Sequence, residues 1–127
     1  MTATRILVVD DNPINLKLMR FVLVEAGHDV QTARDVTRAF ECIAERCPQL
    51  VLVDLYLPGV DGIEFTRRLK RDPTTRDLIV VAVTASATMG DRACALAAGC
   101  DLYVTKPIDI DALLSIVKES VNRGSLP

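Results

Sequence analysis

The chain has 127 residues, half of them hydrophobic and a quarter charged, with a formal net charge of −2. That length suits one domain of ordinary size, able to bury a core without disulfide or metal staples. The small net charge excludes a general pull toward nucleic acid or membrane surfaces, and no apolar run approaches the length of a membrane span.

The N-terminal MTATRILVV reaches strand-like sequence at once and leaves no room for a signal peptide, so a cytoplasmic location is the default expectation. Residues 6–9 (ILVV) are short, branched and continuous, as in a strand buried on both faces. The strand runs into Asp10 and Asp11. Asn12 and Pro13 then supply an N-cap and a first helical residue. This helix is predicted to reach about Ala26, with Gly27 as its stop. Leu18, Met19, Val22 and Ala26 form its expected core face, while Ile14 and Phe21 lie toward another side with Lys17 between them. DVQTA (29–33) alternates and predicts an edge strand with one wetter face. Over 35–47, Val36, Ala39, Phe40, Ile43, Ala44 and Cys47 share a helical face that Pro48 closes.

LVLV (50–53) is a third strand and ends in Asp54. Asp61 and Glu64 have capping-box spacing before a helix that carries Phe65 and Leu69. LIVVAV (78–83) is a fourth strand ending in Thr84, and the alanine-rich 89–98 is a helix ending at Gly99. LYV (102–104) is a short fifth strand, followed by Lys106 and Pro107. Ile110, Leu113, Leu114, Val117 and Val121 make the stripe of the last helix. The domain is expected over 1–122, with 123–127 as a flexible tail. Strand then helix, five times over, specifies an α/β domain: a mostly parallel sheet with helices on both faces.

Of Cys42, Cys47, Cys94 and Cys100, only the first pair has a gap inside a zinc-ligand range, further His and Cys partners at ligand spacing are missing, and His28 is the only histidine. Free thiols are expected.

In an open α/β sheet, ligands bind beyond the carboxyl ends of the strands. Those ends here carry Asp10, Asp11, Asp54, Thr84 and Lys106. A turn that caps a helix would account for Asp10-Asp11-Asn12-Pro13 by itself. Asn12 can cap alone, however, and adjacent carboxylates repel unless a cation compensates them. With Asp54 on the same edge, three carboxylates converge. Mg²⁺, a hard ion that seeks oxygen, and Lys106 are the obvious counter-charges.

The segments VVDDN (8–12), LVDLYLPGVDG (52–62), VAVTA (81–85) and YVTKP (103–107) together resemble the receiver domains of bacterial two-component response regulators. The likeness spans the chain and is greatest to small, stand-alone receivers. It implies a flavodoxin-like, five-stranded parallel sheet of order 2-1-3-4-5. It also implies that Asp54 accepts a phosphoryl group from a phosphohistidine of a sensor kinase or phosphotransferase, a carboxylate acting as nucleophile. Asp11 matches the direct Mg²⁺ ligand, Asp10 the neighbour acting through water, and the Tyr56 backbone carbonyl a further ligand. Lys106 matches the lysine that bridges phosphoryl and carboxylate, and the bond to Pro107 is usually cis in the family. Thr84 and Tyr103 match the switch pair, and Ala85, small enough to leave access open, matches a position whose backbone binds the phosphoryl group. Tyr56 and Ser86 flank the acceptor and influence access of water.

Partner docking through the first helix and the loop after the fifth strand would use Ile14, Phe21, Pro107 and Ile108. A downstream protein target would meet the fourth helix, fifth strand and fifth helix, and homodimerisation on phosphorylation belongs to the same expectation. The chain reads as a relay or adaptor rather than a turnover enzyme, with no direct contact to nucleic acid or membrane. The alternative is a receiver fragment of a longer response regulator or hybrid histidine kinase. Two other classes fit less well. An aspartate-dependent phosphatase of the haloacid dehalogenase kind needs D-x-D after the first strand, and here the pair is adjacent. A nucleotide- or flavin-binding module needs a phosphate-cradling loop, and neither G-x-G-x-x-G nor G-x-x-x-x-G-K-[ST] occurs.

Overall fold

The computed structural model describes residues 4–55, 62–85, 89–106 and 109–124, with the backbone alone at 91 and 121–124. Among them five strands alternate with five helices: β1 (Arg5–Val9), α1 (Pro13–Glu25), β2 (Asp29–Ala33), α2 (Val36–Glu45), β3 (Leu50–Asp54), α3 (Gly62–Arg71), β4 (Ile79–Thr84), α4 (Met89–Ala98), β5 (Leu102–Thr105) and α5 (Ile110–Gly124). Every strand pairing is parallel and the order is β2-β1-β3-β4-β5, the topology that the family resemblance implied. Chain direction across the sheet reverses between β1 and β3. Their carboxyl ends therefore flank a crevice, and Asp10 and Asp54 emerge there.

Alternation along the inner strands sorts the core into two layers. Leu7, Val9, Val51, Val53, Val80 and Ala82 pack against α2, α3 and α4. Ile6, Val8, Leu50, Leu52, Val81 and Val83 pack against α1 and α5. Each large side chain buried in these layers contributes roughly 1.5–3 kcal/mol. The rings of Phe40 and Phe65 meet edge to face at 5.1 Å, joining α2 to α3. None of the described helices is long and apolar enough to cross a membrane.

Helix punctuation follows the sequence closely. The Asn12 side chain accepts from the backbone N–H of Ile14 and Asn15, and Pro13 opens α1. Gly27 and Gly99 adopt φ of 95° and 112° and let α1 and α4 end in the same way. After α1, the Gly27 N–H donates to the Val24 carbonyl and the His28 N–H to that of Leu23. After α4, Gly99 and Cys100 donate to Leu96 and Ala95. These paired bonds need a left-handed residue, which glycine supplies without a Cβ clash.

Two expectations are corrected. The core face of α1 is Leu16, Met19 and Leu23, while Leu18 and Ala26 are exposed and Val22 is half-buried. Both sides of this helix are apolar, so periodicity alone chose the wrong stripe. On α2, Cys42 is buried and Ala44 exposed, and Cys47 lies exposed beyond the helix end. The last helix runs from Ile110 to Gly124, and residues 125–127 fall outside the described residues. The proposed cap Asp61 also lies outside them. Of the free thiols, Cys42 and Cys100 are buried and Cys47 and Cys94 exposed.

Candidate functional site

Asp10 follows β1, and its N–H donates to the Ala33 carbonyl of β2 at 3.1 Å, so sheet geometry carries the chain directly to this residue. Its side chain is buried, with Oδ1 accepting from the Asn12 N–H at 2.9 Å. Asp54 closes β3 and is also buried. Asp11 is exposed. One carboxylate oxygen from each of the three residues falls within 4.8 Å of the others.

Lys106 reaches in from beyond β5. Its Nζ donates to Asp54 Oδ2 at 2.9 Å and to Asp10 Oδ2 at 3.0 Å. Burial alone would lower the pKa of this ammonium. Hydrogen bonds and Coulomb attraction from Asp54 and Asp10 outweigh burial and hold it above the ordinary lysine value. Lys106 is therefore charged throughout the neutral range. Its backbone is fixed as well, because its N–H donates to the Thr84 carbonyl at 2.7 Å. Thr84 ends β4 fully buried, Ala85 beside it is exposed, and Tyr103 on β5 is half-buried against the α2–α3–α4 layer.

One lysine cannot neutralise three carboxylates. The cluster keeps a negative excess made of hard oxygen donors, with the exposed Asp11 on the solvent side. That donor set fits a divalent ion such as Mg²⁺, which prefers a few carboxylates and retains waters.

The structure thus brings together Asp10, Asp11, Asp54, Thr84, Ala85 and Lys106 at one edge. Tyr103 stands on the neighbouring strand. Tyr56, Ser86, Pro107 and Ile108 lie outside the described residues. Ile14 and Phe21 are exposed on α1, 75% and 65% respectively. A largely apolar groove of about 430 Å³ runs between α1 and α5, from Leu18, Met19 and Leu113 to Ala85 and Lys106.

Two site residues escaped the sequence analysis. The Asn15 amide approaches Asp10 Oδ2 at 3.5 Å and lines the same groove. Its place one helical turn after Asp11 was the available signal. Gly62 packs on the backbone of the acceptor strand's end: a Cβ there would stand 2.5 Å from the Asp54 carbonyl oxygen and 2.7 Å from the Leu55 Cα. The last glycine of LVDLYLPGVDG marked it.

A family model described as the response regulator receiver domain matches residues 6–118. Among curated proteins, the response regulator PleD of Caulobacter vibrioides is 40% identical over 98% of this chain. The match spans only 27% of PleD. The polar-differentiation response regulator DivK of Brucella anthropi is 35% identical over 89% of the chain and 92% of its own length. Among solved structures, a CheY-like receiver domain protein from Methanospirillum hungatei superposes with a TM-score of 0.90 at 27% identity, covering 97% of both chains. The receiver domain of a signal transduction histidine kinase from Syntrophus aciditrophicus gives 0.91 at 28% identity, covering 98% of this chain and 95% of that one.

Proposed function

Because this chain belongs to the response regulator receiver domain family of two-component signalling, we propose that it is a phosphorylatable receiver that accepts a phosphoryl group on Asp54. Membership implies a kinase partner in general and a signalling rather than metabolic role. The observation that carries the reading is the Lys106 ammonium held between Asp10 and Asp54 inside a cluster of three carboxylates. A half-buried cation shared by two buried carboxylates sits where charge must be balanced during phosphoryl transfer.

Asp54 supplies the nucleophile. An O–P bond forms to its carboxylate while the P–N bond of a phosphohistidine breaks, and the imidazole nitrogen keeps the electron pair. Lys106 then holds a phosphoryl oxygen in place of its Asp54 contact while keeping Asp10. Thr84 donates from its hydroxyl to a second oxygen, with the backbone of Ala85 beside it, and Tyr103 follows the movement of Thr84. Asp10, Asp11, Asp54 and the Tyr56 carbonyl are the residues that would hold Mg²⁺, which supplies charge neutralisation on the transferred group. The direct test is intact mass after incubation with a small-molecule phosphodonor. One added phosphoryl group with Mg²⁺, and none with a chelator, is the expected outcome. Uptake that ignores Mg²⁺ would refute the metal assignment.

Asp11 gives a second, opposite pair of effects. Asp11→Asn removes one of three mutually repelling carboxylates, so the chain should melt at higher temperature in chelator. Its Mg²⁺ affinity should fall at least about tenfold, since even outer-shell changes cost that much. Thermal melts alongside a Mg²⁺ titration read both. A lower melting temperature in chelator would mean that Asp11 stabilises the fold.

The phosphodonor would be a histidine kinase or histidine phosphotransferase docking on α1 and the groove beside α5, with Ile14, Phe21, Pro107 and Ile108 as its expected contacts. Ile14→Ala combined with Phe21→Ala should slow transfer from a protein donor at least about tenfold, as for loss of interface anchors. Uptake from a small-molecule donor should be unchanged. Parallel time courses with both donors separate the outcomes, and equal transfer from the protein donor would remove α1 from the docking site. The phosphorylated receiver, read over 1–122 in a cytoplasmic setting, would signal through α4, β5 and α5 to a protein target or a second receiver. The 92% coverage of DivK favours a single-domain relay. The 27% coverage of PleD supports the second reading, a receiver segment of a longer regulator or hybrid kinase.

A further inference from the structure

We propose that α1 pairs with α1 of a second copy of this chain, antiparallel about a two-fold axis beside Phe21. The inner face of α1 is already committed to the core through Leu16, Met19 and Leu23. Its outer face nonetheless carries Ile14, Leu18, Phe21 and Val24, exposed 75%, 52%, 65% and 45%. Such a stripe on the solvent side of a short helix marks a contact surface rather than scattered exposed residues.

The charges around the stripe favour a second copy as the occupant. Lys17, Phe21 and Glu25 follow one another at intervals of four and form a single ridge on the helix surface. The ridge has a cation at one end, an aromatic ring in the middle and an anion at the other end. An isologous interface requires a patch that complements itself on reversal. Reversing this ridge sets Lys17 beside Glu25 of the second copy, Phe21 beside its counterpart, and Glu25 beside Lys17. Rows of this kind interdigitate at a crossing angle of about −50°. Each ridge then lies in the groove between its counterpart and the Ile14–Leu18–Val22 row. Among the described residues, neither Lys17 nor Glu25 forms an ion pair within the chain, so both are available.

A helix of this length presents a face roughly 20 Å long, and its area falls below the ~800 Å² per partner of a standard interface. The association is therefore weak and governed by concentration. On the reading given under Proposed function, it also covers the face a phosphodonor needs. Self-pairing and phosphotransfer would then exclude each other, which makes local concentration a brake on signalling.

Sedimentation equilibrium of the full, unphosphorylated chain tests the pairing and involves no phosphodonor, so its outcome is independent of the chemistry at Asp54. The weight-average mass should climb toward the dimer as concentration approaches the order of 1 mM, as for an interface below standard size. Phe21→Ala and Lys17→Glu should each raise the dissociation constant at least about tenfold. Lys17→Glu combined with Glu25→Lys should restore it, because the swapped ridge is again self-complementary. A mass that stays monomeric at every concentration overturns the proposal and leaves the face to a different protein. Dimerisation that ignores Phe21→Ala and Lys17→Glu overturns it by placing the contact elsewhere. Failure of the charge swap to restore pairing overturns the ridge arrangement.

Discussion

Asp54→Asn is expected to take up no phosphoryl group under conditions in which the unsubstituted chain gains one, by intact mass with Mg²⁺ and a small-molecule phosphodonor. The amide has nearly the shape of the carboxylate but lacks an anionic oxygen, and its nitrogen lone pair is delocalised. It can still accept from Lys106, which donates to Asp54 Oδ2 at 2.9 Å. The substitution also takes one negative charge from a cluster whose ligand oxygens lie within 4.8 Å of one another. The fold should therefore survive, and a melt at least as high as that of the unsubstituted chain is the accompanying result. Loss of uptake with an intact melt isolates the nucleophile. Retained uptake would place the acceptor on another residue and defeat the assignment.

Gly62→Ala is the structural counterpart, with an expected cost of about 1–3 kcal/mol for overpacking. The clash is with backbone, the Asp54 carbonyl oxygen and the Leu55 Cα, rather than with the movable end of a side chain. The Gly62 N–H also donates to the Leu55 carbonyl at 2.9 Å, which holds the start of α3 against the end of β3. Relief of the clash must push α3 away or shift Asp54, so phosphoryl uptake should slow along with the loss of stability. Gly90→Ala is the matched control. Its Cβ would meet nothing within 4 Å, and alanine is the better helix former by up to about 1 kcal/mol. Urea midpoints for both variants decide the matter, and an unchanged midpoint for Gly62→Ala would show that the acceptor strand tolerates a Cβ at this position.

Much of the molecule was legible in its sequence because the relevant signals are local. Continuous branched runs marked β1, β3 and β4, and the weaker alternation of 29–33 marked β2, an edge strand in the structure. Asn12-Pro13, Gly27 and Gly99 set helix ends because caps and left-handed glycines are chosen by the backbone of their own turn. The candidate site was legible for a related reason. In a parallel sheet every strand ends on the same edge, so Asp10, Asp54 and Thr84, the last or next residues of their strands, had to converge.

Other features depended on neighbours distant in sequence. On α1, the choice between the Leu16–Met19–Leu23 face and one containing Leu18 rests on how the helix lies against the sheet and α5, since both faces are apolar. The places of Asn15 and Gly62 beside Asp10 and Asp54 appear only once α1 and α3 are docked on the sheet. The sequence alone therefore determined the α/β fold class, the helix ends and the edge that carries the carboxylates, because periodicity, capping and strand direction are written locally. Tertiary structure decided that one lysine lies between two buried carboxylates 96 and 52 residues away in the chain. It also decided which side of α1 faces outward. Both depend on side chains brought together by packing, which no local pattern encodes.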